Sequence, residues 1–328
     1  MKHPAVLASA LFLFTACAGA VNSNPPANPL SLQRAQKPIQ ASRSDVLAGV
    51  HHLYAGYTQP YQCSVAVYDL PLTKSSKPST TLFCNSGGDF VGLAIDEKYL
   101  YVMNQIPAGQ ELYMVSSYAF PVSKFESPSA TITLPKETFP PAISAKNGYL
   151  YVVDQDTGAT SAYAVPLTNG ESPSVTGSLS IGGFEDVALA GTQYLYVNPG
   201  YGSASGNLDA FALPFTNNEA PTVQLAQETN SMAQYATTLY VASGHTAAYA
   251  VYVYSLPLTP ASKPKVVATP AFNPHQLAVD EHNLFVTSKG NSPEFFVKLR
   301  VYKLPLVSNE TGFITLSNVN DGGIVVGP

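Results

Sequence analysis

The sequence predicts an all-β fold, a six-bladed β-propeller of four-stranded blades. Three observations carry that expectation. The first is a repeated strand phrase, found as Leu53-Tyr54, Leu100-Tyr101-Val102, Leu150-Tyr151-Val152, Leu195-Tyr196-Val197, Leu239-Tyr240-Val241 and Leu284-Phe285-Val286. The five intervals from Leu53 to Leu284 average about 46 residues, the length of one propeller blade. The second is a proline that follows a later strand in every unit, at Pro71, Pro121, Pro166, Pro214, Pro257 and Pro305. The third is composition. With 27 Pro, 23 Gly, 20 Tyr and no Trp, and only 11% charged residues, the chain suits short strands joined by turns rather than long amphipathic helices.

The chain opens with Lys2, an apolar run from Ala5 to Phe14 and then Thr15-Ala16-Cys17, so residues 1–17 read as an export signal too short to span a bilayer. Phe14-Thr15-Ala16-Cys17 resembles the lipobox of bacterial lipoproteins. That resemblance implies cleavage before Cys17, lipid on its sulfur and a cell-envelope location. Cleavage after Ala18-Gly19-Ala20, giving a soluble secreted chain, is the alternative. Residues 18–44 are rich in Pro, Asn, Ser and Gln and poor in aromatics, the composition of a disordered tether. The propeller then occupies residues 45–328.

Each unit resolves into four strands, as blade 2 illustrates: Val91 to Ile95, Tyr99 to Met103, about Met114 to Phe120, and Ala130 to Leu134. Three positions before each third-strand proline stand Tyr68, Tyr118, Tyr163, Phe211, Tyr254 and Tyr302. One position before stand Leu70, Phe120, Val165, Leu213, Leu256 and Leu304. Side chains alternate along a strand, so these bulky residues share one face, where stacked blades bury them. The proline lacks an N–H and is expected to end the strand or mark a bulge. A second proline, seven residues later, recurs as Pro78, Pro128, Pro173, Pro221 and Pro264 and brackets a hairpin turn. The sixth unit has Gly312 there instead.

The C-terminal Asp321-Gly322-Gly323-Ile324-Val325-Val326-Gly327 echoes the lead-in Gly87-Gly88-Asp89-Phe90-Val91-Gly92, and is predicted to close the ring as an extra strand of unit 1; Val46 to Val50 competes for that place. Cys63 lies eight residues before Pro71 and Cys84 thirteen after it, on the third and fourth strands of unit 1. In an exported chain they are expected to form a disulfide, two buried thiols being the alternative.

Gly92-Leu93-Ala94-Ile95-Asp96 with Leu100-Tyr101-Val102, and Gln276-Leu277-Ala278-Val279-Asp280 with Leu284-Phe285-Val286, resemble the NHL and YVTN-type repeats of six- and seven-bladed propellers. The resemblance spans roughly residues 45–327 and implies architecture rather than chemistry.

The net charge of −5 and the lack of any Lys/Arg cluster argue against nucleic acid as a partner, and against a membrane except through the N-terminal lipid. No Gly-x-Ser-x-Gly, His-Glu-x-x-His, phosphate-cradling loop or paired-Cys metal spacing occurs. Candidate ligand residues come from loops that propellers converge on their axis: Asp89, Glu185, Asn273 and His275 before first strands, and Asp154 and His245 after second strands. His245 and His275 belong to neighbouring units on the same predicted face. Phe90, Phe139, Phe184 and Phe272 either line the mouth on that face or close the core beneath it. The acidic turns Asp96-Glu97 and Asp280-Glu281 are expected on the opposite face, solvated. The expected function is an exported ligand-binding or protein-interaction scaffold, for a protein or a small polar or carbohydrate ligand, with no cofactor. The alternative is a metal-dependent hydrolase or lactonase: six-bladed lactonases hold a divalent cation in the central tunnel with such a residue mixture.

Overall fold

A computed structural model describes residues 51–59, 62–84, 88–106, 112–134, 141–154, 157–179, 188–191, 193–198, 207–215, 220–244, 249–270, 272–288, 296–308, 312–320 and 323–328. They form six four-stranded antiparallel sheets arranged as the blades of a propeller. Blade 1 contains β1 (His52–Gln59), β2 (Gln62–Asp69) and β3 (Thr80–Phe83), together with β24 (Ile324–Gly327). Blade 2 is β4 (Asp89–Ile95), β5 (Tyr99–Gln105), β6 (Tyr113–Ala119) and β7 (Ala130–Thr133). Blade 3 is β8 (Ala142–Lys146), β9 (Tyr149–Val153), β10 (Ala159–Ala164) and β11 (Val175–Ser178). Blade 4 is β12 (Ala188–Ala190), β13 (Tyr194–Val197), β14 (Leu208–Ala212) and β15 (Val223–Leu225). Blade 5 is β16 (Ser231–Tyr235), β17 (Thr238–Ser243), β18 (Ala250–Ser255) and β19 (Val266–Ala268). Blade 6 is β20 (Pro274–Val279), β21 (Asn283–Ser288), β22 (Phe296–Lys303) and β23 (Ile314–Asn320).

The Leu-Tyr phrase builds the seams between blades. Its six leucines, Leu53, Leu100, Leu150, Leu195, Leu239 and Leu284, are fully buried and face the preceding blade. The next residue, Tyr54, Tyr101, Tyr151, Tyr196, Tyr240 or Phe285, faces the following one. Adjacent residues of a strand point to opposite faces, so one dipeptide supplies both seams of its blade. The third-strand aromatics, all buried, join the leucines: Tyr118 plugs the blade 1–2 seam, Tyr163 the 2–3, Phe211 the 3–4, Tyr254 the 4–5, Tyr302 the 5–6 and Tyr68 the 6–1. Six apolar clusters thus join six blades in a closed ring. Each third strand stops two residues before its proline, as a residue without an N–H requires, and all six of these Leu-Pro, Phe-Pro or Val-Pro bonds are cis.

The ring closes through the C-terminus. β24 lies innermost in blade 1, pairing Ala55 with Ile324 and His52 with Gly327. Gly323 turns into it at φ +84°, in the left-handed region that favours glycine. The competing segment 46–50 lies outside the described residues, as do the expected signal and tether. Cys63 on β2 and Cys84 just after β3 form a disulfide, with Cα atoms 5.2 Å apart, beside a backbone hydrogen bond from the Cys84 N–H to the Cys63 carbonyl.

In blades 1, 2, 3 and 5 the hairpins between third and fourth strands share a rule that the prolines alone did not reveal. The first residue's N–H donates to the side chain three places on: Thr73 to Ser76 Oγ (2.8 Å), Ser123 to Glu126 Oε2 (2.9 Å), Thr168 to Glu171 Oε2 (2.9 Å) and Thr259 to Ser262 Oγ (2.8 Å). The blade 3 turn also covers the outer edge of blade 2. The Gly170 N–H donates to the Thr131 carbonyl at 3.1 Å, and Asn169 Oδ1 accepts the Thr131 N–H at 2.9 Å. An outer strand left bare would invite edge-to-edge pairing.

Candidate functional site

The innermost strands β4, β8, β12, β16, β20 and β24 are each the edge of their sheet, and residues from all six line one central cavity of about 640 Å³. An edge strand has no ladder partner on its free side, so backbone N–H and C=O groups contribute to this wall with the side chains. At the end where these strands begin, the lining includes Asp89, Gln105, Ser231, His275 and Gln276. At the other end it includes Ile95, Lys146, Gln234, Val279 and Val326. The two mouths therefore differ in chemistry. The first gathers an acid, an imidazole, a hydroxyl and two amides, and the second sets one ammonium and one amide among aliphatic residues.

Local irregularities position the first mouth. The register of β4 on β5 shifts between Phe90 and Gly92, and that of β20 on β21 between Pro274 and Leu277. Such bulges turn side chains out of the regular alternation, here beside Asp89 and at His275. Asp89 opposes Gln105 in the ladder, and the approach is closed to any residue but glycine at position 88, because a Cβ there would lie 1.7 Å from the Gln105 carbonyl oxygen. Across the blade 5–6 seam, Ser231 Oγ accepts the Leu277 N–H at 3.0 Å, and its hydroxyl points to Gln276 Oε1 at 3.5 Å. The Gln276 N–H, freed from the ladder by the bulge, donates to Thr287 Oγ1 at 3.0 Å. His275 thus sits on a segment pinned at the adjoining residue and to the preceding blade.

Of the six residues the sequence put forward, Asp89 and His275 line the cavity. Asp154 does not: its carboxylate accepts the Thr157 N–H at 3.2 Å and the Thr157 hydroxyl at 2.9 Å, shaping the connection from β9 to β10. Asn273 stands just before β20 but outside the lining, with its Oδ1 packed where a Cβ on residue 244 would be, so Gly244 makes room for it. Glu185 and His245 lie outside the described residues, and so do Phe139 and Phe184. Phe90 is buried in the blade 1–2 seam and Phe272 packs against the blade 5–6 seam, so both close the core. The acidic turns are at the far end but are structural rather than merely solvated. Asp96 accepts the Lys98 and Tyr99 N–H groups and the Tyr101 hydroxyl at 2.7–2.8 Å, and Asp280 accepts the His282 and Asn283 N–H groups. Burial, and then the Asp96 carboxylate, push the Tyr101 phenol well above its ordinary range. Gln105, Lys146, Ser231, Gln234 and Gln276 were missed, because their signal is a place on or beside an innermost strand and not a residue type associated with catalysis. Among the described residues no three His, Cys, Asp or Glu gather as a metal site.

No protein-family profile matches the chain. No curated protein matches it either. Solved structures do. A chain of the nidogen/laminin complex aligns over 85% of this chain and 98% of its own length, at 12% identity and a TM-score of 0.57. A functionally unknown protein from Desulfotomaculum acetoxidans DSM 771 aligns over 83% and 84%, at 12% identity and a TM-score of 0.56. The chain is a β-propeller. At such identity the similarity extends to the fold alone.

Proposed function

We propose that this protein is an exported binding scaffold that receives a small polar ligand at the channel mouth bearing Asp89 and His275. The observation that carries the reading is the cavity itself. Its volume of about 640 Å³ lies within the range of small-molecule sites, and its one polar mouth offers an anion, an imidazole and neutral amides set in a rigid wall. Asp89 and His275 would orient the ligand, with Gln105, Gln276 and the backbone edges supplying further donors and acceptors. The seams support this role, since six packed clusters and a disulfide hold the strands with little freedom, and a preorganised site loses less on binding. Export is supported by the apolar leader and by the Cys63–Cys84 bridge, which persists in oxidising compartments. Lipid on Cys17 would tether the propeller to the envelope. A chain of similar fold is part of the nidogen/laminin complex, so this architecture also suits a protein partner.

The test is a ligand screen by saturation-transfer NMR, using monosaccharides, disaccharides and amino acids, on wild type and two paired variants. Asp89→Ala with His275→Ala is expected to abolish every hit, while Glu97→Ala with Glu281→Ala, exposed at the far end, leaves them intact. Hits lost only in the second pair would place the site at the wrong mouth. Separately, Cys17→Ala should release the protein from membranes and end its labelling by a fatty-acid probe.

A further inference from the structure

The sixth unit breaks the repeat at two positions that touch. Two residues before the third-strand aromatic the other units carry Ala66, Ser116, Ser161, Asp209 and Tyr252, whereas blade 6 carries Arg300, the one arginine between residues 45 and 328. Where five units have the second hairpin proline, blade 6 has Gly312. A Cβ on residue 312 would lie 3.1 Å from Arg300 Cβ and 3.5 Å from its Cδ, so the lost proline is the space that the arginine stem occupies.

Among the described residues no group neutralises the guanidinium. Its Cζ lies over the Phe272 ring, 4.5 Å from the centre, in a cation–π contact. Its Nε is buried with no hydrogen-bond partner, and among the described residues no carboxylate pairs with it. Burying part of a charge without a counter-ion is costly, and a cation–π contact offsets only a fraction of it. The exposed Lys298, two residues along the same strand, adds a second positive charge in a protein whose net charge is −5.

We propose that Arg300, held over Phe272 and cleared by Gly312, binds the carboxylate of a small molecule at the blade 5–6 seam. Neither Arg300 nor Phe272 lines the central cavity, so this site is separate from the channel mouth. With Nε buried, the guanidinium offers a ligand its Nη–H edge, and two parallel N–H groups match the two oxygens of a planar carboxylate. A single fork suits one negative charge better than a tetrahedral dianion, which calls for donors from several directions. Phe272 holds the guanidinium in place before binding.

The whole protein, labelled with ¹⁵N, tests this directly, because only three arginines, Arg34, Arg43 and Arg300, contribute side-chain Nε–H signals. Sodium acetate and sodium benzoate are titrated against sodium chloride and inorganic phosphate at constant ionic strength. The expected result is a saturable shift of the Arg300 Nε–H signal with both carboxylates and not with chloride. Calorimetry with benzoate should show at least tenfold weaker binding for Arg300→Lys, which keeps the charge and loses the fork, and weaker binding for Gly312→Pro, which crowds the stem. A linear response equal to that of chloride, or unchanged benzoate affinity in Arg300→Lys, would overturn the proposal. Tighter binding of phosphate than of acetate would overturn the carboxylate assignment. Should either variant fail to fold, the wild-type titration alone decides.

Discussion

Removing the C-terminal strand puts the ring closure to its strictest test. β24 contributes Ile324, 5% exposed, to the seam between blades 6 and 1, where Val326 also packs, while Val325 packs against the seam between blades 1 and 2. The phenol of Tyr54 donates to the Pro328 carbonyl, fastening the strand at its end. Truncating a buried isoleucine to alanine costs about 2–5 kcal/mol, so Ile324→Ala by itself should remove a large part of a typical domain stability of about 5–15 kcal/mol. Deleting residues 324–328 loses in addition two half-buried valines, at roughly 1 kcal/mol each, and bares the inner edge of β1. Equilibrium urea denaturation followed by near-ultraviolet circular dichroism reads both variants, with Phe125→Ala as the control. Phe125 is 76% exposed and its loss should stay within about 0.5 kcal/mol. The expected order of midpoints is wild type and Phe125→Ala together, then Ile324→Ala, then the deletion, which should also aggregate. A deletion variant with the wild-type midpoint would refute closure through β24.

Three further outcomes are expected. The Cys63–Cys84 bridge closes a loop of 21 residues, worth about 3 kcal/mol by loop entropy; the double serine variant should lose about that much in the same urea titration, and alkylation of the unreduced protein should label neither cysteine. Gly88→Ala drives a Cβ into the Gln105 carbonyl and is expected to cost about 1–3 kcal/mol, with the nearby Phe90 and Asn104 amides exchanging faster with deuterium; an unchanged stability would show that the mouth tolerates a side chain there. Burial holds the Asp209 carboxyl above its ordinary range while the Gln224 amide pulls it down, so the folded chain binds more protons than the unfolded one from about pH 4 up to the raised value, and stability falls as pH rises through that window. Asp209→Asn should therefore be the more stable protein at pH 7, by about 1–3 kcal/mol, and the gap should close on acidification; a gap that widens below pH 4 would contradict the sign.

The blades were legible in the sequence because their signal is local and repeated six times. Leu100 and Tyr101 point to opposite seams by the alternation of any strand, and five other Leu-Tyr or Leu-Phe pairs make the same statement. The strands of blade 2 and the burial of Tyr68 and its five counterparts follow from spacing along the chain, whereas spacing left two candidates for the closing strand and two states for Cys63 and Cys84, and the tertiary structure decided for β24 and for the bridge. The binding face was legible only in part. Asp89 and His275 reach the channel because bulges at Phe90 and Pro274 turn the backbone there, and a bulge is set by pairing with a neighbouring strand. Asp154 looked equivalent in the sequence, yet Thr157 captures its carboxylate within three residues. Asn273 is drawn aside into the space above Gly244, 29 residues away in the chain. Which polar groups meet around the axis depends on six strands separated by some 46 residues each, and on how their blades pack. That arrangement is a property of the closed ring, and no segment of the sequence contains it.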